Sequence, residues 1–334
     1  MTSPVVRATT RPAAIWFALI TVYLVWGSTY LAIRVIVESA PPLLAMGTRF
    51  LIAGLLLGAF LAGRRGVGVL RVSWRQLGSA ALVGVLLLLC GNGVVAIAEQ
   101  TVPSGLAALL IAATPLWLMV LRVAAGDRPR ALSLVGTALG FAGIAVLARP
   151  GGHGGNVETW GLLLLVGASI AWAIGSFYSS RLPMPGNAFV ATAWEMAVGG
   201  ALMLVAGMLR GELDGFSVRE VDGAAWAWLA YLIGFGSLAA FTAYIWLLNN
   251  APISLTATYA YVNPVVAVLL GALVLSEPIT ASIVLGGLVV VFGVGLVVSM
   301  ERPRRPATAP APGAGPDPVV DPALDRVRTT RSPE

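Results

Sequence analysis

Apolar residues occur along the chain in ten long runs that are separated by short polar segments. Each run approaches the ~20 helical residues that are needed to cross ~30 Å of hydrocarbon. The runs are continuous rather than alternating, which favours helices over the strands of a membrane barrel. The pattern predicts ten transmembrane helices, at 14–34, 42–62, 76–98, 103–124, 131–148, 160–180, 187–209, 225–248, 253–275 and 281–300.

The composition supports a protein that lies within a lipid bilayer. The chain of 334 residues is 58% hydrophobic and only 11% charged, whereas soluble domains carry about 25% charged residues. Its net charge is +6, but the arginines lie in short clusters between the apolar runs, which indicates membrane topology rather than nucleic-acid binding. With a cytoplasmic N-terminus, 12 arginines fall on that side and 3 on the other. We therefore expect a multi-pass protein of the inner or plasma membrane with both termini in the cytoplasm.

Cysteine, histidine and lysine are nearly or entirely absent, which limits the kinds of site that the chain can form. Cys90 is the only cysteine and His153 the only histidine, so we predict neither an intramolecular disulfide nor a histidine-based metal site. The chain contains no lysine, and the phosphate-binding loop of nucleotide-driven proteins requires one. We expect no cofactor and no metal.

Prolines recur at a constant offset in the two halves of the chain. The offset is 149 residues for three pairs: Pro103 and Pro252, Pro115 and Pro264, and Pro129 and Pro278. The chain is therefore predicted to contain two copies of a five-helix unit, at 14–149 and 160–300. Because five is odd, the second copy enters the membrane from the opposite face, and such inverted repeats are typical of secondary transporters. Residues 1–13 are predicted to be a cytoplasmic tail, and 301–334 a disordered cytoplasmic tail.

Four motifs resemble those of a known transporter family. They are WGSTYLAIR at 26–34, APPLLAMGTRFLIAG at 40–54, GNGVVAIAEQTVPSGLAALLIAATPLW at 91–117 and YAYVNPVVAVLLGALVLSEPIT at 259–280. The sequence resembles the EamA-type permeases of the drug/metabolite transporter superfamily over roughly residues 15–300. This resemblance implies ten helices, two cytoplasmic termini and the export of small metabolites through a central cavity.

Pro115 and Pro264 lie within apolar runs rather than at their ends. Each frees the backbone carbonyl four residues earlier, which belongs to Ile111 in one case and to Ala260 in the other. In lipid such a carbonyl needs a donor or a water-lined cavity. The two prolines are either paired hinges that line the transport pathway or ordinary kinks with carbonyls satisfied by nearby hydroxyl groups. Their symmetry favours the hinges.

Polar residues of the ninth run form two stripes at helical spacing. One stripe contains Thr256, Tyr259 and Asn263, and the other contains Ser254, Thr258 and Tyr261. One stripe is expected to face the cavity and the other to pack against a neighbouring helix. The spacing does not decide between them, although we prefer Tyr259 and Asn263, because Asn263 directly precedes Pro264.

Aromatic residues of two further runs are candidates for the substrate pathway. Tyr23, Trp26 and Tyr30 share a face of the first run, and Trp172 and Ser176 share a face of the sixth. Near a midplane cavity they would suit a flat or amphipathic cargo. The alternatives are ordinary packing and, above all for Tyr30, an interfacial aromatic belt.

Charged groups within or beside the runs are further candidates. Arg49 would bind a substrate carboxylate and Glu195 would carry a proton, or both are structural. Their expected depths differ by about 10 Å, so we do not expect a direct salt bridge. Asn92 and Glu99 share a helix face that leads outwards, and Glu99 lies either in an outer vestibule or at a solvated helix end.

These patterns predict an all-α integral membrane protein that exports small metabolites by alternating access. Amino acids, related compounds or drug-like molecules would be the substrates, with proton coupling through a carboxylate as one energy source. A lipid translocator is the alternative. A membrane enzyme is less favoured, because aspartate is absent from all ten runs and the chain has no HExxH motif. The expected partners are the substrate and the bilayer, and the glycines of the fifth and tenth runs either pack helices together or form a homodimer surface.

Overall fold

The structure is a computed structural model that describes residues 12–149 and 157–300. Within these ranges, nine helices are long and apolar enough to cross a membrane, and α5 is apolar but shorter. The helices are α1 (Pro12–Val37), α2 (Pro42–Arg65), α3 (Trp74–Ala98), α4 (Ser104–Ala124), α5 (Ala131–Leu147), α6 (Thr159–Ser179), α7 (Ala188–Leu209), α8 (Gly223–Asn250), α9 (Ser254–Leu275) and α10 (Ala281–Met300). The predicted ten-helix fold is confirmed. Residues 1–11 and 301–334, to which the predicted tails belong, lie outside the described residues.

Successive helices run in alternating directions across the bundle. We call the side at which α1 begins the N-terminal face and the side at which it ends the opposite face. Five helices, α1–α5, form the first repeat, and α6–α10 form the second. Because each repeat has an odd number of helices, corresponding helices of the two repeats run in opposite directions.

The helices α4 and α9 are both interrupted, but at positions that are not equivalent. In α4, Ser104–Ile111 is followed by Thr114–Ala124, and Pro115 lies in the first turn of this second segment. In α9, the short turn Ile253–Thr256 precedes Tyr259–Leu275, and Pro264 lies inside that second, continuous helix. The Thr258 hydroxyl donates to the Leu255 carbonyl at 2.6 Å, a local bond that competes with the helix. The breaks in α4 and α9 are therefore placed differently relative to their prolines, and the paired hinges at Pro115 and Pro264 stay a prediction.

Two π-helical segments do occupy equivalent positions in the repeats. They are Val85–Gly93 in α3 and Leu232–Ala239 in α8. π-Helical turns displace backbone carbonyls from their usual partners and are frequent at functional sites. Here the Leu87 carbonyl accepts from Nδ2 of Asn92 at 3.3 Å, and the Gly236 carbonyl accepts from Nε1 of Trp26 at 3.2 Å.

Glycines allow two helix pairs to approach closely across the repeats. A Cβ atom added to Gly54 of α2 would lie 2.5 Å from the backbone nitrogen of Ala197 in α7. A Cβ atom added to Gly143 of α5 would lie 2.7 Å from the nitrogen of Val290 in α10. Most glycines that the sequence singled out in the fifth and tenth runs thus pack these two helices against each other. The homodimer surface stays a prediction.

Candidate functional site

A cavity of about 310 Å³ lies between the two repeats. Every helix except α5 and α10 contributes residues to its wall. The volume is at the lower end of the range for small-molecule sites, which runs from about 300 to 1,000 Å³. The helix pair α5 and α10 instead packs outside the cavity.

Most of the residues predicted from the sequence line this cavity. They are Trp26, Tyr30, Arg49, Asn92, Pro115, Trp172, Ser176, Glu195, Tyr259, Asn263 and Pro264. Of the two stripes on α9, the one with Tyr259 and Asn263 faces the cavity. Tyr23 lies outside the lining, and its hydroxyl is hydrogen bonded to the Thr258 hydroxyl of the other stripe.

Aromatic side chains form one wall of the cavity around Trp26. The centroid of the Trp26 ring lies 5.2 Å from the ring centroids of Phe241, Tyr244 and Tyr259. These edge-on and tilted arrangements are the favoured geometries of aromatic pairs. Sequence reasoning missed Phe241 and Tyr244, although their spacing of three residues in α8 placed them on a common helix face.

Arg49 supplies a buried positive charge at the cavity wall. Its side chain is only 3% exposed, its Nε donates to Oγ of Ser237 at 3.0 Å, and its Cζ lies 4.5 Å from the Phe50 ring centroid. Within residues 12–149 and 157–300, the carboxylates that form ion pairs do so with Arg34 and Arg122, not with Arg49. A buried charge is costly unless it is paired, so this guanidinium is suited to an anionic ligand.

Two further groups give the cavity wall hydrogen-bonding capacity. Glu195 is half-buried and, as expected from its depth, forms no salt bridge with Arg49. Oδ1 of Asn263 is buried and has no hydrogen-bond partner among the described residues. A buried amide oxygen of this kind costs free energy unless a ligand or water donates to it.

The break in α4 leaves its carbonyl satisfied locally. The Thr114 hydroxyl donates to the Ile111 carbonyl at 2.7 Å. This is the partner that the ordinary-kink interpretation of Pro115 predicts. The same segment nevertheless lines the cavity, with Ile111, Thr114 and Pro115 all in its wall.

The exposure of the lining residues indicates a cavity that is open towards the N-terminal face and closed at the opposite face. Lining residues nearer the opposite face, such as Ile33, Val95 and Ala108, are at most 2% exposed. Pro115 and Glu195, which lie nearer the N-terminal face, are partly exposed. This difference in exposure indicates that the cavity opens on the side at which α1 begins.

Glu99 lies at the closed face, in the connection between α3 and α4. It is 0% exposed, so it is neither in a vestibule nor at a solvated helix end. The Arg34 guanidinium donates to its backbone carbonyl, and both carboxylate oxygens lack a hydrogen-bond partner among the described residues. Burial, together with the nearby Glu277 carboxylate, raises the pKa of Glu99 well above its usual value, and Arg34 offsets this only in part.

Comparisons with known proteins agree with this architecture. The sequence model of the EamA-like transporter family matches residues 13–149 and 159–299. The chain is 43% identical over 303 residues to the uncharacterized inner membrane transporter YedA of Escherichia coli (strain K12), over 88% of this chain and 94% of that protein. It is 26% identical over 298 residues to the uncharacterized transporter YvbV of Bacillus subtilis (strain 168), over 87% of this chain and 94% of that protein.

A solved crystal structure with 22% sequence identity superposes with a TM-score of 0.58, over 86% of this chain and 96% of the other. At this identity the likeness shows a common fold. The family match occurs once in each repeat, and the similarity to YedA extends through both. The chain therefore belongs to the EamA-like transporter family and is a membrane transporter.

Proposed function

We propose that this protein is a secondary transporter of the inner membrane that exports small organic molecules by alternating access. The observation that carries the proposal is the cavity between the two inverted repeats, which is open to one face and closed to the other. In secondary transporters with inverted repeats, the substrate site lies where the repeats meet. The description of YedA as an inner membrane transporter supports the location.

The arginine distribution supports a cytoplasmic N-terminal face. In this orientation the structure corresponds to the state in which an exporter takes up its cargo, because the open cavity faces the cytoplasm. Opening of the opposite face would then release the cargo outside.

The groups of the cavity wall indicate what the cargo carries. Arg49 offers a buried cation, Asn263 an unpaired acceptor, and Trp26 an aromatic wall. A carboxylate-bearing metabolite with an apolar or planar body, such as an amino acid, would satisfy all three. Glu195, in the same wall, would accept a positively charged amine or a coupling proton.

Reconstitution into liposomes tests the proposal. Vesicles are loaded with labelled amino acids, other organic acids and their uncharged analogues, and efflux is measured against protein-free vesicles. We expect efflux of at least one carboxylate compound, and we expect it to be slowed by Trp26→Ala. The matched control is Trp160→Ala, because the side chain of Trp160 is 65% exposed at the start of α6.

Two results would contradict the proposal. One is the absence of efflux for every compound from a protein that is monodisperse and helical. The other is movement of fluorescent phospholipid between leaflets without efflux of any soluble compound, which would favour a lipid translocator.

A further inference from the structure

Two helices of the first repeat begin at the opposite face without a capping side chain of their own. The residue that precedes α2 is Pro41 and the residue that precedes α4 is Pro103, and neither makes a side-chain cap bond. The first N–H groups of a helix have no partner within the helix and need one elsewhere. At both helix starts this partner comes from the other repeat.

Carboxylates of the second repeat provide these caps. Oε2 of Glu212 accepts from the backbone N–H groups of Leu43 and Leu44, both at 3.0 Å. Glu277 accepts from the backbone N–H groups of Ser104 at 2.7 Å and Gly105 at 3.1 Å. A negative charge at a helix N-terminus is also favoured by the helix dipole.

The two caps lie on interfaces of different character. Glu212 caps α2 at its long glycine-mediated contact with α7, where Gly47, Gly54 and Gly200 leave almost no space. Glu277 caps the first segment of α4, which is separated from the rest of that helix by the break before Pro115. The contact of Glu277 is therefore the one that joins a separate helical segment to the second repeat.

The backbone around Glu277 is shaped to deliver its carboxylate. Ser276 adopts a left-handed conformation with φ of 54°, and the Glu277 N–H donates to the Gly271 carbonyl at 3.1 Å. A Cβ atom on Gly271 would overlap the Glu277 carboxylate and would lie 2.9 Å from Oγ of Ser104. Gly271 thus leaves the space in which the cap forms.

The equivalent positions of the first repeat carry different residues. At the offset of 149 residues, Gly271 corresponds to Arg122 and Glu277 corresponds to Arg128. Arg128 is exposed at the N-terminal face, and its side chain cannot accept a hydrogen bond.

We propose that Glu277, bonded to the N–H groups of Ser104 and Gly105, is a latch that holds the opposite face closed and biases alternating access towards the state seen here. The proposal rests on the alternating access inferred above. Opening the opposite face separates the start of α4 from Glu277 and breaks both bonds. Arg128, at the corresponding position of the first repeat, cannot supply the same cap at the N-terminal face.

Cysteine accessibility measures the latch directly, since Cys90 is the only native cysteine. In a Cys90→Ser background, Ser104→Cys places a thiol at a position that is 0% exposed beside the latch. Thr101→Cys provides an exposed reference thiol at the same face. A membrane-impermeant maleimide is added to whole cells and to inverted vesicles, so that each face is tested separately.

Glu277→Gln should raise the labelling rate of Ser104→Cys from the opposite face by about five- to thirtyfold, the range expected when one or two cap interactions are lost. Gly271→Ala should raise it too, because the added methyl group displaces the carboxylate. Glu220→Gln removes an exposed carboxylate at the same face and should change nothing. Normal labelling of Thr101→Cys in each variant establishes that the protein is folded and inserted.

An unchanged rate in both Glu277→Gln and Gly271→Ala would overturn the latch. These outcomes are independent of transport. If the labelling rates change as expected but the protein transports no substrate, the proposed function would be refuted and the latch would not.

Discussion

Arg49 and Ser237 join the two repeats at the cavity wall, where Nε of the arginine donates to Oγ of the serine at 3.0 Å. Arg49 lies on α2 and Ser237 on the π-helical segment of α8, and both side chains are buried. The bond fixes the plane of the guanidinium. It thereby orients the positive charge towards the cavity, in which an anionic cargo would bind.

Replacing Arg49 with lysine tests this role. Lysine keeps the charge but lacks the planar fork of donors that binds a carboxylate and a neighbouring hydroxyl together. We expect Arg49→Lys to lower the efficiency of carboxylate export by roughly 10- to 100-fold. This range corresponds to the free energy of one lost hydrogen bond to a charged group. Initial efflux rates measured against internal substrate concentration check this expectation.

The matched control is Arg64→Lys, at the exposed end of the same helix. This change should leave export at the wild-type rate. Wild-type export by Arg49→Lys, or an equal loss for an uncharged cargo, would show that Arg49 does not bind the substrate carboxylate.

The prolines of α4 and α9 should differ in importance, because only α4 is broken beside its proline. Pro115→Ala permits a continuous helix across the break before Thr114 and gains a backbone hydrogen bond of about 1 kcal/mol in the straight form. We expect export to fall by about fivefold. Pro264→Ala should have a smaller effect, because Tyr259–Leu275 is already continuous.

Pro129→Ala, in the connection between α4 and α5, is the control for general effects of proline removal. Efflux rates and thermal stability are compared for all three variants. Equal losses for Pro115→Ala and Pro264→Ala would support the symmetric hinges that the sequence predicts and contradict the asymmetry of the structure.

The fold was predictable from the sequence, because the apolar runs, the arginine pattern and the proline offset can each be recognised without knowledge of tertiary contacts. The cavity was predictable in part, since Tyr259 and Asn263 share a stripe and adjoin Pro264. The sequence could not show that Trp26 lines the cavity and Tyr23 does not, because both residues lie on one helix face. Only the packing of α9 shows that the Thr258 hydroxyl engages Tyr23.

The caps of the opposite face were not predictable. Glu212 and Glu277 lie in connections, where carboxylates are ordinarily solvated, and their partners are backbone N–H groups that any residue carries. Glu99 likewise ends an apolar run in the position of a solvated residue. Its complete burial depends on the packing of neighbouring helices, which no local pattern encodes.

The contact between α2 and α7 should be a principal source of stability. A Cβ atom at Gly54 would lie 2.5 Å from the backbone of Ala197, which cannot move without separating the helices. We expect Gly54→Ala to destabilise the protein by about 1–3 kcal/mol through overpacking. Thermal unfolding in detergent measures this change.

Gly63→Ala on the same helix is the matched control. Among the described residues, no atom beyond the local helix backbone lies within 4 Å of a Cβ built there, so the added methyl group should be neutral or stabilise by about 0.4–1 kcal/mol. If both variants unfold at the same temperature as the wild type, then α2 and α7 do not pack as closely as described.

Glu99 should make closure of the opposite face depend on pH. The charged groups that act on it are Glu277 and Arg34, and Tyr30 also interacts with it. In the closed state burial raises the pKa of Glu99, whereas in an open, hydrated state the pKa would return towards about 4.3. Closing therefore takes up a proton. The closed state is favoured fully below about pH 4.3 and loses this contribution as the pH rises through the higher pKa of the closed state.

The labelling rate of Ser104→Cys, divided by that of Thr101→Cys to remove the ionisation of the thiol itself, should accordingly increase with pH. Glu99→Gln removes the titrating group but keeps its volume, so the same ratio should become independent of pH and stay at its low, acidic value. This sign distinguishes Glu99 from Glu277, because loss of the latch raises the ratio at every pH. A ratio that rises with pH as steeply in Glu99→Gln as in the parent protein would assign the titration to another group, and a ratio that falls with pH would contradict proton uptake on closure.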